Sequence, residues 1–329
     1  MTRVLYVGGT GEISHACVER SLAAGHDVAV LNRGNRSELL PDGVESIVGD
    51  LRSDEPYAAL GGRTFDVVCQ FMAFDGADAV RDIEAFSGRC GQFVFVSSAA
   101  VYRRPIADER VTESTPVGNS FSAYGLAKLA CERTLLDAQQ AGAFPVTIVR
   151  PSHTYRTRLP SAVLQSEHQT WRMLAGKPIL VHDDGDSMWT LTHAADFASA
   201  FVGLFESGAT VGSTFNITSE TALSWNTILR QVGGALDLEV ELVHVPTDTL
   251  VEYEPQWSAP LRGDKADSMA FDMSHVRSVV DGWRCEVTLA EGLRRTAEFG
   301  RARLASGYQP DSAVDRLVDR IISEHASVV

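Results

Sequence analysis

The chain lacks long apolar runs, paired cysteines and an excess of positive charge, and each shortage removes a class of function. No stretch of its 329 residues approaches the roughly 20 consecutive apolar residues that a membrane span requires. The five cysteines (Cys17, Cys69, Cys90, Cys131 and Cys285) are odd in number, widely spaced and free of any Cys-x-x-Cys pair. That pattern argues against a disulfide framework and a zinc site and fits a reducing cytosol, so a cytoplasmic protein without bound metal is expected. Lys and Arg total 29 against 43 Asp and Glu, a formal net charge of -14. Such a surface repels phosphate backbones and anionic headgroups, so neither nucleic acid nor a membrane is expected as a partner. The opening MTRVLYVGG breaks at a glycine pair after a few apolar residues, unlike a signal peptide. What is present is 44% apolar residues, enough for one large α/β domain and a smaller lobe.

The first half alternates strand-like and helix-like segments. Val4–Val7 is an apolar run ending at Gly8-Gly9-Thr10-Gly11, and Ile13–Ala24 has helical spacing stopped by Gly25. Further strands are expected at Asp27–Leu31, Val44–Val48, Phe65–Phe71, Gln92–Ser97 and Val146–Arg150, with a long helix over Ser122–Gln140. Near-continuous apolar strands separated by helices imply a parallel sheet covered on both faces. Beyond Pro151 the alternation becomes irregular. Helices are expected at Leu159–Gly176, His193–Ser207, Ser224–Leu236 (Ser224 as N-cap) and Ala313–Ser323 (Ser312 as N-cap). Strands are expected at Lys177–Val181, Ser213–Ile217 and Glu239–Val245. No internal repeat or low-complexity linker interrupts the chain, which points to interleaved lobes.

Gly8-Gly9-Thr10-Gly11-Glu12-Ile13-Ser14 follows a strand and opens a helix. Glycine there lets the backbone approach a pyrophosphate, which the helix's free amides and dipole stabilise. This strand–turn–helix context makes the glycine cluster a dinucleotide site, with Gly8, Thr10, Gly11, Glu12 and Ile13 as contacts. The second strand ends at Asn32-Arg33, where an NAD site normally places a carboxylate on the ribose 2′-OH. Arg33 and Arg36 suit a 2′-phosphate instead, which tips the expected cofactor from NAD toward NADP. Asp50 and Leu51 follow the third strand and are expected beside the adenine. Met72 and Phe74 follow the fourth, on the nicotinamide side.

Tyr124 and Lys128 stand at i and i+4, on one face of the long helix. A lysine that close favours phenolate and lowers the tyrosine pKa toward working pH, as hydroxyl-to-carbonyl redox chemistry requires. Ser97-Ser98, 26 residues before Tyr124, ends a strand and is placed to hydrogen-bond the reacting oxygen.

With these elements in order the chain resembles the short-chain dehydrogenase/reductase superfamily, in its extended, nucleotide-sugar-epimerase-like branch. The matching segments are GGTGEIS, LNRG, the GD at 49–50, FVFVSSAAVY at 93–102, YGLAK at 124–128 and VRPSHTY at 149–155. They continue with WTLTHAADFASAF at 189–201, STFNIT at 213–218 and RGDKADSMAFD at 262–272. The resemblance implies a Rossmann doubly wound parallel sheet with bound NAD(P), and Ser98, Tyr124 and Lys128 as the catalytic set. It places residues 1–151 in the cofactor domain, with returning segments at about 186–220. Residues 152–185 and 221–329 then form the substrate-binding lobe and C-terminal helix. Phe71, Met72, Ala73, Ser97, Pro151 and His153 complete the implied cofactor wall. The helices at Ser122–Gln140 and about Asp75–Phe86 resemble those that build a homodimer in this superfamily.

The departures bear on the chemistry. The third glycine of the turn is Ser14, which implies a slightly more distant helix. Ala99-Ala100 replaces the Asp-Glu pair of dehydratases, leaving no acid and base to expel water, and it offers no cysteine for 3,5-epimerisation. Trp189 falls near the place where epimerases hold the substrate diphosphate with arginine. Arg156, Arg158, Arg262 and Lys265 are then the cations left for an anionic substrate. The expected substrate wall is Phe74, Ser98, Ala99, Ala100, His153, Arg156, Arg158, Trp189 and Arg262. His153, at a strand mouth, is read as a substrate contact, a second acid/base or a packing residue, and His193 as a helix cap. The expected activity is reversible oxidation of a secondary alcohol on a sugar or nucleotide sugar, foremost epimerisation through a transient ketone. The alternatives are a net NADPH-dependent ketoreductase and, outside enzymes, a cofactor- or RNA-binding protein.

Overall fold

The computed structural model describes residues 1–205 and 207–325. The first strands are β1 (Arg3–Val7), β2 (Asp27–Asn32), β3 (Glu45–Val48), β4 (Phe65–Gln70), β5 (Cys90–Val96) and β6 (Val146–Pro151). Helices α1 (Ser14–Ala23), α2 (Gly76–Phe86) and α3 (Ala123–Gln140) connect them. Then come β7 (His153–Tyr155), α4 (Ser166–Leu174), β8 (Ile179–His182), β9 (Met188–His193), α5 (Ala194–Gly203) and β10 (Thr214–Ile217). The remainder is β11 (Ala222–Ser224), α6 (Trp225–Ala235), β12 (Leu242–Val245), α7 (Thr247–Tyr253), the single turn α8 (Ser258–Pro260), α9 (Ser274–Val279), α10 (Leu289–Ala305) and α11 (Ser312–His325).

The main sheet has seven strands in the order β10-β6-β5-β4-β1-β2-β3, every pair parallel. This is a doubly wound Rossmann sheet. Alternation along each strand splits its side chains between two cores. Val4 and Tyr6 pack with Val28, Val30, Phe197 and Phe201 on the α1 and α5 face. Leu5 and Val7 pack with Ala29, Leu31, Ala79, Phe86, Cys131 and Leu135 on the α2 and α3 face. Both faces being covered accounts for the strands reading as unbroken apolar runs. The order reverses beside β1, so the carboxyl ends of β1, β4, β5 and β6 open onto one crevice.

The second half is built on two small sheets, β11-β9-β7 and β12-β8, packed by α4, α6, α10 and α11. Here the sequence reading needs correction. The helix expected over Leu159–Gly176 is confined to Ser166–Leu174. The residues before it are held in a non-helical loop, in which the Gln169 side chain donates to Pro160 O and accepts from Ala162 N–H. The strand expected from Lys177 begins only at Ile179, since Pro178 supplies no ladder donor. The strand expected from Glu239 begins at Leu242. Ser312 lies inside α11, and Asp311 caps it by accepting from the N–H groups of Ala313 and Val314. Ser224 caps α6 and His193 caps α5, as read from sequence.

Candidate active site

The turn after β1 is shaped for an anion. Gly8 has φ +82° and lies so close to Met72 that a Cβ there would meet Met72 Cγ at 2.5 Å. The N-cap of α1 is Ile13, which offers no side-chain acceptor, so no side chain caps the first turn; the His15 N–H donates to Gly11 O at 3.3 Å. Ser14, at the third glycine position, is buried, and its hydroxyl accepts the Gly11 N–H at 3.0 Å. One loop amide is therefore already satisfied. These residues fit a dinucleotide pyrophosphate. At the end of β2, Asn32 Oδ1 accepts the Gly34 N–H at 2.7 Å, and Arg33 and Arg36 are exposed. Asp50 accepts the Arg52 N–H at 2.9 Å and is exposed beside half-buried Leu51.

The crevice at the carboxyl end of the sheet holds a cleft of about 310 Å³. Ser98, Ala99, Ala100, Tyr124, Pro151, His153 and Trp189 all line it, with Ser122, Ser152, Gly263 and Asp264. The chain positions this wall by close approach. A Cβ on Gly125 would strike Ala100 O at 2.2 Å, so only glycine lets α3 press its start against the turn that follows β5. Ser122 caps α3 by accepting the Gly125 N–H at 3.0 Å. Ser98 accepts the Ala100 N–H at 3.1 Å and stands beside the Tyr124 hydroxyl.

Lys128 is 2% exposed. Its ammonium donates to Ala73 O at 2.7 Å and Val96 O at 2.9 Å, and lies 4.9 and 4.7 Å from the rings of Phe74 and Phe95. Burial lowers its pKa to about 8, against the opposing pull of Cys131, Asp78, Asp82 and Glu132. Tyr124 behaves differently from the sequence expectation. Burial raises its pKa, and the Ser98 hydroxyl only partly offsets that. The ammonium of Lys128, 6.0 Å from the Tyr124 ring centre, is turned to backbone carbonyls and does not pull the phenol down.

His153 is also corrected as an acid/base. Burial, reinforced by Lys265, pushes its pKa down to about 3, so it is a neutral imidazole at working pH. Trp189 is buried against Trp225 and forms the inner wall. Phe71 packs on the core, Ala73 is buried beneath Lys128, Ser97 is buried, and Met72 and Phe74 stay half-exposed at the mouth. Three charged residues sit elsewhere than expected. The Glu12 carboxylate accepts the Thr157 N–H at 2.8 Å and the Thr157 hydroxyl rather than standing free in the loop. Arg262 is paired with Asp248 at 2.6 Å and Arg158 with Glu167 at 3.2 Å, and neither lines the cleft. Asp264 was missed. A π-turn over Leu261–Lys265 brings it into the wall, 3.5 Å from Arg104 and 3.8 Å from Lys265. Its only sequence signal is its place between Arg262 and Lys265.

Residues 4–218 match the NAD dependent epimerase/dehydratase family, well over half of the chain. The chain belongs to that family. It is an enzyme of the extended short-chain dehydrogenase/reductase group, with an NAD-type dinucleotide as cofactor. It is 31% identical to 2'-dehydrokanamycin reductase of Streptomyces kanamyceticus over 253 residues, 76% of this chain and 71% of that one. It is 27% identical to UDP-glucose 4-epimerase of Mycolicibacterium smegmatis over 330 residues, covering 91% of this chain and 98% of the relative. In fold it is similar to UDP-glucuronic acid 4-epimerase of Bacillus cereus, solved in complex with NAD, at TM-score 0.72 and 19% identity over 94% and 99% of the two chains. Among the described residues no helix is long and apolar enough to cross a membrane, and no cluster of His, Cys, Asp and Glu is arranged to hold a metal ion.

Proposed function

We propose that this family member is a net NADPH-dependent ketoreductase acting on a sugar-like ring that carries no diphosphate. One observation carries the reading. Among the described residues no Lys or Arg lines the cleft, and of the cations expected for an anionic substrate Lys265 lies beside Asp264, Arg262 pairs with Asp248 and Arg158 with Glu167, which leaves Arg156 unpaired and outside the wall. A nucleotide sugar's diphosphate would find no cation on the cleft wall itself. The wall instead presents Asp264, Ser98, Ser122, Ser152 and a neutral His153, groups suited to hydroxyl and amino substituents. The similarity to 2'-dehydrokanamycin reductase supports the same direction.

Bound NADPH supplies the hydride. The Tyr124 hydroxyl, its pKa raised by burial, holds the proton that the reduced oxygen needs. Ser98 orients that oxygen, and the buried Lys128 ammonium holds the Ala73 and Val96 carbonyls behind the site. Exposed Arg33 and Arg36, without ion-pair partners among the described residues, support a 2′-phosphate at the ribose. Exposed Val80 on α2 and Leu126 on α3 support a homodimer through those packed helices.

The test is NADPH oxidation with ring ketones bearing hydroxyl or amino groups, alongside UDP-glucose without added cofactor. Reduction of the free ring ketone is expected, with Tyr124→Phe losing about 10²–10⁴-fold in rate while still binding NADPH. Epimerisation of the UDP-sugar by tightly retained NAD would instead establish the reading favoured by similarity to UDP-glucose 4-epimerase.

A further inference from the structure

The dinucleotide loop contains a carboxylate, Glu12, at the place where a diphosphate is to be received. Left free, that charge would repel the ligand. It is instead tied to the other half of the molecule. The Thr157 N–H donates to Glu12 Oε2 at 2.8 Å, and the Thr157 hydroxyl donates to the second carboxylate oxygen. Burial pushes the Glu12 pKa up, but these two bonds and the neighbouring Arg156 and Arg158 outweigh it, and the group stays ionised. The segment that reaches across lies against α10, where the hydroxyl of fully buried Thr296 is 2.9 Å from both Arg156 O and Gly292 O and shares its proton between them. Arg156 has no ion-pair partner among the described residues, and its Nε is buried with no hydrogen-bond partner.

We propose that Glu12, Thr157 and Arg156 form a strap over the dinucleotide groove that sets the rate of cofactor release, with Arg156 as a ligand of the pyrophosphate. A loop amide cradle alone leaves the dinucleotide free to lift away. The strap joins that loop to the α10 side of the molecule through a single residue, so release requires the Glu12–Thr157 contact to open. The same contact holds the Glu12 carboxylate on Thr157, where Arg156 and Arg158 partly offset its charge, and keeps a guanidinium beside the loop. For a reductase, whose cofactor is exchanged at each turnover, the strap tunes the slowest kind of step such enzymes have. This relevance to turnover rests on the ketoreductase reading; the strap itself does not.

The test measures NADPH dissociation by stopped-flow displacement and affinity by fluorescence titration, for wild type, Glu12→Gln, Thr157→Val and Arg156→Met. Thr157→Val removes one hydroxyl and keeps the backbone, so it reads the contact even where Glu12→Gln folds poorly. Dissociation is expected to quicken about tenfold in Glu12→Gln and several-fold in Thr157→Val, with the double variant no faster than Glu12→Gln alone. Arg156→Met is expected to weaken NADPH about tenfold and to flatten the salt dependence of binding. Release unchanged within twofold in both strap variants, or slowed in Glu12→Gln, overturns the proposal. If wild type retains its dinucleotide through purification and epimerises a UDP-sugar, the ketoreductase reading falls. The strap is then judged by exchange of labelled cofactor, which must be faster in Glu12→Gln.

Discussion

Glu132 and Arg150 form a two-point ion pair inside the protein. Arg150 Nε and Nη2 donate to the two Glu132 carboxylate oxygens at 2.9 and 2.6 Å, and the residues are 1% and 5% exposed. Glu132 stands one turn beyond Lys128 on α3, and Arg150 is at the end of β6. Arg150 Nη1 also donates to the Tyr102 hydroxyl at 3.1 Å, which donates to Asn216 of β10 at 2.7 Å. The helix that carries Tyr124 and Lys128 is thereby bolted to two sheet strands. Removing one partner leaves a buried charge alone, so Glu132→Ala is expected to cost about 3–5 kcal/mol of stability. The double variant Glu132→Leu/Arg150→Met should lose far less. Urea denaturation checks this, and equal losses in the single and double variants would contradict it.

Lys128 predicts an alkaline limb in the pH profile. Its pKa is lowered to about 8 by burial, so the ammonium is lost as pH rises through that value. The rate of ketone reduction, followed as kcat/KM, should fall above about 8. Stability moves the other way. From about 8 up to the ordinary lysine value the unfolded chain binds more protons than the folded one, so folding gains stability as pH rises across that window. A limb no lower than the ordinary lysine value would contradict this assignment.

Asp82 predicts a second pH effect, away from the cleft. Tyr57 and Gln70 both donate to Asp82 Oδ1, and Oδ2 has no partner among the described residues. Burial raises its pKa to about 7, so it is mostly protonated only below neutral pH. Its stabilising contribution is complete below the ordinary carboxylate value and is lost as pH rises through about 7. Thermal melts should show wild type losing several degrees relative to Asp82→Asn as pH rises from about 4 to about 7, with little further change above that. Parallel curves for the two proteins would rule this out. Gln70 Oε1 also accepts the Met72 N–H at 2.7 Å, so the network reaches the wall next to Gly8.

The sheet was legible because burial on both faces leaves an unbroken apolar signature, and the alternation with helices dictates parallel pairing. Gly8–Gly11, Ser98, Tyr124 and Lys128 were legible because each motif sits at a strand end or helix start. The second half was harder to read for identifiable reasons. Helix α10 went unread since its buried stripe is only Gly292, Leu293, Thr296 and Ala297 among many charges. Its start was nevertheless signalled by Thr288 three residues before Glu291, whose N–H the Thr288 hydroxyl accepts at 3.3 Å. The contacts that reassign Glu12 and Arg262 are made with Thr157 and Asp248 in other elements, and Asp264 enters the wall through a π-turn. Periodicity carries no trace of such pairings.

The seventh strand of the sheet, β10, is laid down only after the chain has built β7 to α5, and it pairs along Ile148–Pro151 of β6. A fragment stopping at residue 151 would therefore bare a flat, apolar strand edge in register for any neighbouring copy. Such a fragment is expected to associate through that edge, and a ribosome must deliver about two thirds of the polypeptide before the edge is sealed.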